Sequence, residues 1–336
     1  MVSFNRRRFL AAVAGTSAVD LIAQSAKALP DRQIDPIGIP AAKQIRAGIL
    51  DVSYLEAGPP DGDPVILLHG FPYDVHAFDA VAPLLAKAGR RVIVPYLRGY
   101  GPTRFIDAAA PRVGQQAALG NDLLALLDAL KLRKATLAGF DWGARAACVV
   151  AALHPDRVNG LVSSGGPGFN IQNGLEFLKP RDPAFERRHW FYWYLNAQRG
   201  KKDFSEHTTS FCRYLWHDFS PGWNFDDATF AQTAAAFDNP DFVTVALHSY
   251  CFRIGEVPGD SALEPIERRL SERPKITVPT IVLEGADDGV DPPEPSGMAA
   301  QHFTDLRRTT VLTGVGHNAP QEAPDLFAAA ILDVSR

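Results

Sequence analysis

The chain is short of the residues that cross-link, thread or charge-steer a protein. Its 336 residues include three cysteines, Cys148, Cys212 and Cys251. Three thiols exclude a disulfide framework. Cys212 and Cys251 could pair in an oxidising compartment or stay as two free buried thiols, and Cys148 reads as a core residue. Formal charge is −4, and no Lys/Arg stripe follows the N-terminus, which argues against nucleic acid as a partner. There is no internal repeat, no low-complexity tract, no metal-ligand cluster and no phosphate-binding glycine loop, so no cofactor is implied. What remains is an ordinary globular composition, 46% hydrophobic and 21% charged, long enough for one large domain or a core with an insertion.

The first residues stand apart. Asn5-Arg6-Arg7-Arg8-Phe9-Leu10 precedes a small-residue stretch from Ala11 to Ile22, and Ala26-Lys27-Ala28 offers an A-x-A-like cleavage site. The order of charge block, apolar stretch and cleavage site resembles a twin-arginine export signal, with Asn5 where Ser or Thr is more usual. Residues 1–28 are therefore expected to be a leader, recognised by the twin-arginine machinery and removed from an exported, periplasmic protein. The stretch is short and broken by Asp20, so stable membrane insertion of the mature chain is not expected.

Apolar runs alternate with helical patterns in two blocks. Val65–Leu68, Arg91–Val94, Ala135–Ala138 and Gly160–Ser164 read as strands of the first block. Leu119, Leu123, Leu126, Leu127 and Leu130 lie on one stripe of a helix between the second and third. Thr280–Leu283 and Thr309–Leu312 form the second block, followed by a closing helix from Pro324. Strands buried on both faces and separated by helices predict an α/β protein with a mostly parallel sheet. The intervening 168–255 lack β runs and concentrate aromatics, including Trp190 to Tyr194, Trp216, Trp223 and Phe225. They are expected to form an inserted helical cap, with a helix starting at Asn239-Pro240-Asp241-Phe242. The core would then comprise 41–167 and 256–336.

The third run ends in Gly139-Phe140-Asp141-Trp142-Gly143 and leads directly into a helix-like stretch. This is the strand–turn–helix frame of a nucleophile elbow with a carboxylate at its tip. The alternative for Asp141 is a helix-capping loop residue. A carboxylate there can displace a leaving group from saturated carbon and form an alkyl ester on the enzyme. His317, in Gly314-Val315-Gly316-His317-Asn318, sits late in the chain where a general base could reach the elbow. Within Glu284 to Gly289, spacing favours Asp288 as the acid that orients the imidazole, with Asp287 next. His69-Gly70-Phe71-Pro72 ends the first run, and the Phe71 and Trp142 amides are candidates for an oxyanion hole. His69 itself reads as structural.

His69-Gly70-Phe71-Pro72, Arg98-Gly99-Tyr100-Gly101, Gly139–Gly143 and Gly316-His317 occur in the order of the α/β-hydrolase superfamily. The chain resembles its Asp-nucleophile branch, home of epoxide hydrolases and haloalkane dehalogenases. That resemblance implies an α/β-hydrolase fold with an inserted helical cap over about 41 to 336. Epoxide hydrolases donate to the epoxide oxygen from two cap tyrosines. By resemblance Tyr250 fits the second, while the first position falls at Phe191, or at Tyr192 with a shift of one, with Tyr194 a further candidate. Dehalogenases use N–H donors, for which Trp142 is in place and Trp193 a possible second, although Phe71 stands where many have Asn. Arg145 matches one of two carboxylate-binding arginines of fluoroacetate dehalogenases, but the other position is Trp142. The aromatic cap points to a small apolar substrate. Epoxide hydrolysis leads, dehalogenation is second, and a non-catalytic binding protein on the same fold is third.

Overall fold

A computed structural model describes residues 42–166, 168–172, 178–293 and 298–335. The expected leader at 1–28, and the expected core limits at 41, 167 and 336, lie outside the described residues. Among the described residues, nine strands form one sheet. Its order is β1 (Lys43–Ala47), β2 (Leu50–Ala57), β4 (Arg91–Pro95), β3 (Pro64–Leu68), β6 (Ala135–Phe140), β7 (Val158–Ser164), β8 (Thr280–Gly285) and β9 (Leu306–Leu312), with the two-residue β5 (Arg104–Phe105) paired to β2. Strands β4 to β9 on this path are parallel, and β1 and β2 add an antiparallel edge. Every residue of Val65–Leu68 and Ala135–Phe140 is buried, as a central parallel strand covered on both faces requires.

Each of the six apolar runs read from the sequence is a strand. The β1–β2 hairpin was not anticipated. Lys43-Gln44-Ile45-Arg46-Ala47 is exposed except at Ala47 and, half-buried, Ile45, so it carries no apolar run to read. Helices α1 (Val81–Lys87), α2 (Gln116–Ala129) and α3 (Trp142–Leu153) follow in the first block. The leucine stripe of α2 is buried through Leu127, and Leu130 is half-buried where the helix ends.

Between β7 and β8 the described chain is helical: α4 (Pro183–Arg188), α5 (Trp190–Asn196), α6 (Gln198–Glu206), α7 (Thr208–Phe219), α8 (Asp227–Ala234) and α9 (Phe242–Arg253). After α10 (Glu264–Ser271) and β8–β9, the short α11 (Ala319–Glu322) and α12 (Pro324–Val334) close the chain. Helix α9 begins two residues later than Pro240, because the Asn239 side chain accepts the Asp241 N–H at 2.8 Å and holds the lead-in as a turn. The insertion is fastened to the core by buried polar contacts. The Trp216 indole donates to the Pro72 carbonyl at 2.8 Å, Thr233 donates to Asp74 at 2.7 Å, and Asn239 donates to the Gly101 and Thr103 carbonyls.

Candidate active site

In an open parallel sheet the carboxyl ends of the strands bring loops from distant parts of the chain together. Strands β3 and β6 are neighbours in register, Leu68 opposite Gly139, so His69–Phe71 and Asp141 emerge side by side. Asp141 takes a left-handed backbone, φ +51°, at the β6–α3 junction. For a non-glycine residue this strained geometry costs on the order of 1–3 kcal/mol and points to function. Close approach makes the flanking glycine obligatory: a Cβ on Gly143 would lie 2.0 Å from the Leu68 carbonyl oxygen.

The Phe71 N–H donates to Asp141 Oδ1 at 2.7 Å. Asp141 Oδ2 faces His317 Nε2 at 3.8 Å, and His317 Nδ1 lies 2.8 Å from Asp288 Oδ2. Asp288 is buried, with Oδ1 accepting the Val290 and Asp291 amides, whereas Asp287 is exposed. The turn thus distinguishes the two aspartates by pointing only one inward. Trp142 is the first residue of α3, where an amide has no intrahelical acceptor. His69 is buried away from this line. Its Nε2 accepts the Leu97 N–H at 3.1 Å, so Nδ1 carries the proton toward the Gly70 carbonyl, and burial brings its pKa down to about 4. It is a neutral structural residue.

Burial opposes ionisation of Asp141, but His317, the Arg145 charge and the Phe71 amide outweigh it and hold the carboxyl below its usual range. Burial also opposes the His317 cation, and the two carboxylates at Asp288 and Asp141 outweigh that, raising it well above the usual imidazole value. The resting pair is carboxylate and imidazolium.

A cavity of about 220 Å³ opens on Asp141 and His317, roofed by Phe191, Tyr192, Phe219 and Tyr250. The Tyr192 and Tyr250 rings are 5.2 Å apart, and both side chains are buried. Trp193 and Tyr194, expected as binding groups, are not at this site. Helix α5 turns about 100° per residue, and burying Phe191, Tyr192 and Leu195 rotates the next two residues away. Trp193 is 42% exposed with its indole donating to Glu186 at 2.8 Å, and the Tyr194 hydroxyl donates to Asp203 at 3.1 Å. Trp142 is fully buried, stacked on Phe71 with centroids 5.5 Å apart, and its indole is not part of the cavity wall.

Sequence reasoning missed several supporting groups. Ser220 accepts the His317 N–H at 2.9 Å and donates to Glu322 at 2.7 Å, while Glu322 also accepts the Gly316 and Asn318 amides. Together they fix the histidine loop. Glu322, five residues after His317, could have been found as a local acceptor; Ser220 comes from the insertion and left no local signal. Arg253, one helical turn after Tyr250, lies over both the Tyr192 and Tyr250 rings, 4.9 and 5.0 Å from their centroids, and donates to the Tyr192 hydroxyl oxygen. Asp291 lines the cavity opposite buried His189, 3.3 Å away. All three cysteines are free and buried. Among the described residues no His/Cys/Asp/Glu cluster could hold a metal, and no helix is long and apolar enough to cross a membrane.

The comparisons with known proteins agree with this architecture. The family model for the alpha/beta hydrolase fold matches residues 63–324. A crystal structure of a candidate epoxide hydrolase from Klebsiella pneumoniae subsp. pneumoniae MGH 78578 superposes with a TM-score of 0.85 at 46% identity, covering 90% of this chain and 99% of that one. Epoxide hydrolase B of Mycobacterium tuberculosis is 39% identical over 112 residues, 32% of this chain and 31% of that protein. A haloalkane dehalogenase of Psychrobacter cryohalolentis is 37% identical over 130 residues, 38% and 42% of the two chains. The matches thus span about a third of the length of these curated relatives. By the family match across most of its length, and by the strand order that carries Asp141, Asp288 and His317, the chain belongs to the alpha/beta hydrolase fold family.

Proposed function

We propose that the protein is an epoxide hydrolase that works through an alkyl ester on Asp141. The observation that carries this reading is the pair of buried phenols, Tyr192 and Tyr250, over a cavity floored by Asp141. An epoxide opens when its oxygen receives a proton as carbon is attacked, and two hydroxyls supply that donation. Asp141 Oδ1 is already held by the Phe71 amide, so Oδ2 is the attacking atom. It bonds to an epoxide carbon, the carbon–oxygen bond breaks, and the oxygen takes a proton from Tyr250 or Tyr192.

Esterification removes the Asp141 charge and with it part of what holds the His317 proton. The proton passes through solvent to the tyrosinate that ring opening left, and neutral His317, oriented by Asp288, takes a proton from water as that water attacks the ester carbonyl carbon. The developing oxyanion is the former Oδ1, which the Phe71 amide already holds, and the Trp142 amide is the proposed second donor. Collapse breaks the acyl carbon–oxygen bond, the departing alkoxide takes the proton of the newly added hydroxyl, and the diol leaves with Asp141 restored as carboxylate and His317 as imidazolium. Placement outside the cytoplasm belongs to the same reading and rests on the Asn5–Leu10 motif.

Dehalogenation by the expected indole pair is the weaker reading, since Trp193 is exposed with its indole on Glu186 and Trp142 is not among the residues lining the cavity. The test is a panel of matched epoxides and bromoalkanes, both neutral and acid-bearing, followed by diol and bromide analysis. Diol formation supports the proposal; bromide release without diol contradicts it.

A further inference from the structure

His189 is the single residue between α4 and α5, and its ring has an acceptor at each nitrogen. Nδ1 lies 3.0 Å from the Phe185 carbonyl, and Nε2 lies 3.3 Å from Asp291 Oδ1. The residue is buried, and its ring stacks on Phe185 with centroids 3.9 Å apart. A neutral imidazole carries one proton, so either tautomer would turn a lone pair on a carbonyl or a carboxylate oxygen. Only the doubly protonated ring satisfies both. Asp291 is the matching anion. Its place in the cavity wall opposes ionisation, but His189, with His317 and Arg253 beyond it, outweighs that and holds the carboxyl below its usual range.

The pair joins two segments that both reach the reacting centre. In the insertion, the His189 carbonyl accepts the Tyr192 N–H at 2.9 Å, and the two rings meet edge-on with centroids 5.1 Å apart. A tilt at this joint is therefore passed to Tyr192. In the core, Asp291 ends the turn that begins at Asp288, whose Oδ1 accepts the Asp291 N–H at 3.0 Å while Oδ2 faces His317. One turn thus holds the core histidine with its first carboxylate and the histidine of the insertion with its last. Beside it, Arg188 Nε donates to the Val290 carbonyl at 3.2 Å. Arg181 and Arg188 flank the pair from the α4 side, Tyr192 from α5, Arg253 from α9, and Asp288 and His317 from the core. Among the described residues, Asp291 is the carboxylate in contact with the His189 ring.

We propose that His189 and Asp291 are a positioning pair for the first half-reaction: their charge-assisted contact clamps the α4–α5 joint to the Asp288–Asp291 turn and so aims the Tyr192 hydroxyl at the oxygen of the bound substrate. Loss of the His189 proton sets a lone pair against an oxygen and loosens the clamp. Donation from Tyr192 is then lost while Asp141 and His317 stay in place. The step that is served rests on the epoxide reading above; the clamp and its hold on Tyr192 do not.

Benzamide tests the clamp without an epoxide, because its carbonyl oxygen accepts from a phenol and the molecule does not react. Calorimetry on the wild-type protein is expected to show binding about tenfold weaker at pH 9 than at pH 6, the worth of one hydrogen bond. Asp291→Asn sets an amide donor against the neutral ring and is expected to flatten that dependence with binding kept. Tyr192→Phe is expected to flatten it with binding weak at both pH values. In parallel, single-turnover ester formation with styrene oxide is expected to fall about tenfold over the same range in the wild-type protein and to stay level in Asp291→Asn. Benzamide binding that is absent, or equal at both pH values, overturns the proposal, and that comparison needs no variant to fold. A pH dependence that survives unchanged in folded Asp291→Asn or Tyr192→Phe also overturns it, since a group outside the pair would then be titrating. A dependence flattened in both variants, with no epoxide turned over, supports the clamp and rejects the epoxide reading alone.

Discussion

In the proposed reaction two buried groups, Asp141 and His317, divide the chemistry into two halves, and each half has its own signature. His317→Gln keeps the nucleophile and removes the base. Mixed with an epoxide substrate, it is expected to stop after one equivalent, with the substrate mass retained on the peptide containing Asp141 in mass spectrometry. Continued turnover would contradict the assignment. The pH dependence follows from the shifts. Asp141 is held below its ordinary value, so ester formation should keep its nucleophile as pH falls toward 4. His317 must lose a proton before it can act, so ester hydrolysis should slow on the acid side while ester formation does not. Single-turnover rates across pH separate the limbs, and a parallel acid loss in both would contradict this order. On the roof, Tyr250→Phe and Tyr192→Phe should each slow ester formation about 10- to 100-fold, at or below the lower end of general-acid contributions because the other hydroxyl remains. Trp193→Phe and Tyr194→Phe should leave it unchanged, since their polar atoms engage Glu186 and Asp203. Stopped-flow quenching of tryptophan fluorescence on alkylation reads all four.

Among the elements, the sheet was legible and the face of α5 was not. Runs such as Val65–Leu68 are apolar because both of their faces are covered, and that leaves a signal in one dimension. Five consecutive aromatics, Trp190 to Tyr194, contain no such signal: which of them faces the cavity depends on how α5 packs on α7 and α9. Phe219 and Tyr250, from those helices, pack on Phe191 and select Phe191 and Tyr192 for the inside. The Phe191 alignment therefore posed a false choice, because Phe191 and Tyr192 both reach the cavity. The bond from Thr233 to Asp74 is a second product of tertiary packing. Burial pushes the Asp74 carboxyl up to about 6 from 3.8. The folded protein thus holds this proton more tightly, and the associated stability is present below pH 3.8 and lost as pH rises to about 6. Asp74→Asn keeps the acceptor oxygen and removes the titration. Relative to wild type, the variant should gain on the order of 2 kcal/mol between pH 4 and pH 7, from roughly 1.4 kcal/mol per pKa unit less the part already lost at pH 4. Urea denaturation at the two pH values measures it, and an unchanged difference between the proteins would contradict it.

Across the whole molecule, the order of motifs along the chain was enough to indicate which strand ends meet. Parallel strands with their carboxyl ends on one side carry Asp141, Asp288 and His317 into contact although 176 positions separate the first from the last (317 − 141). What escaped was the character of the cavity. Arg145, Arg181, Arg188 and Arg253 are scattered over α3, the approach to α4, α4 itself and α9, and only folding gathers them around the apolar rings that suggested an apolar substrate. The central claim, a covalent ester on Asp141, is tested most directly by a single turnover of excess enzyme in heavy-oxygen water. Water attacks the acyl carbon, so one heavy oxygen should appear in the Asp141 carboxylate while the first diol released carries none. Label in that diol with Asp141 unlabelled would mean that water attacks the substrate directly, and would contradict the account.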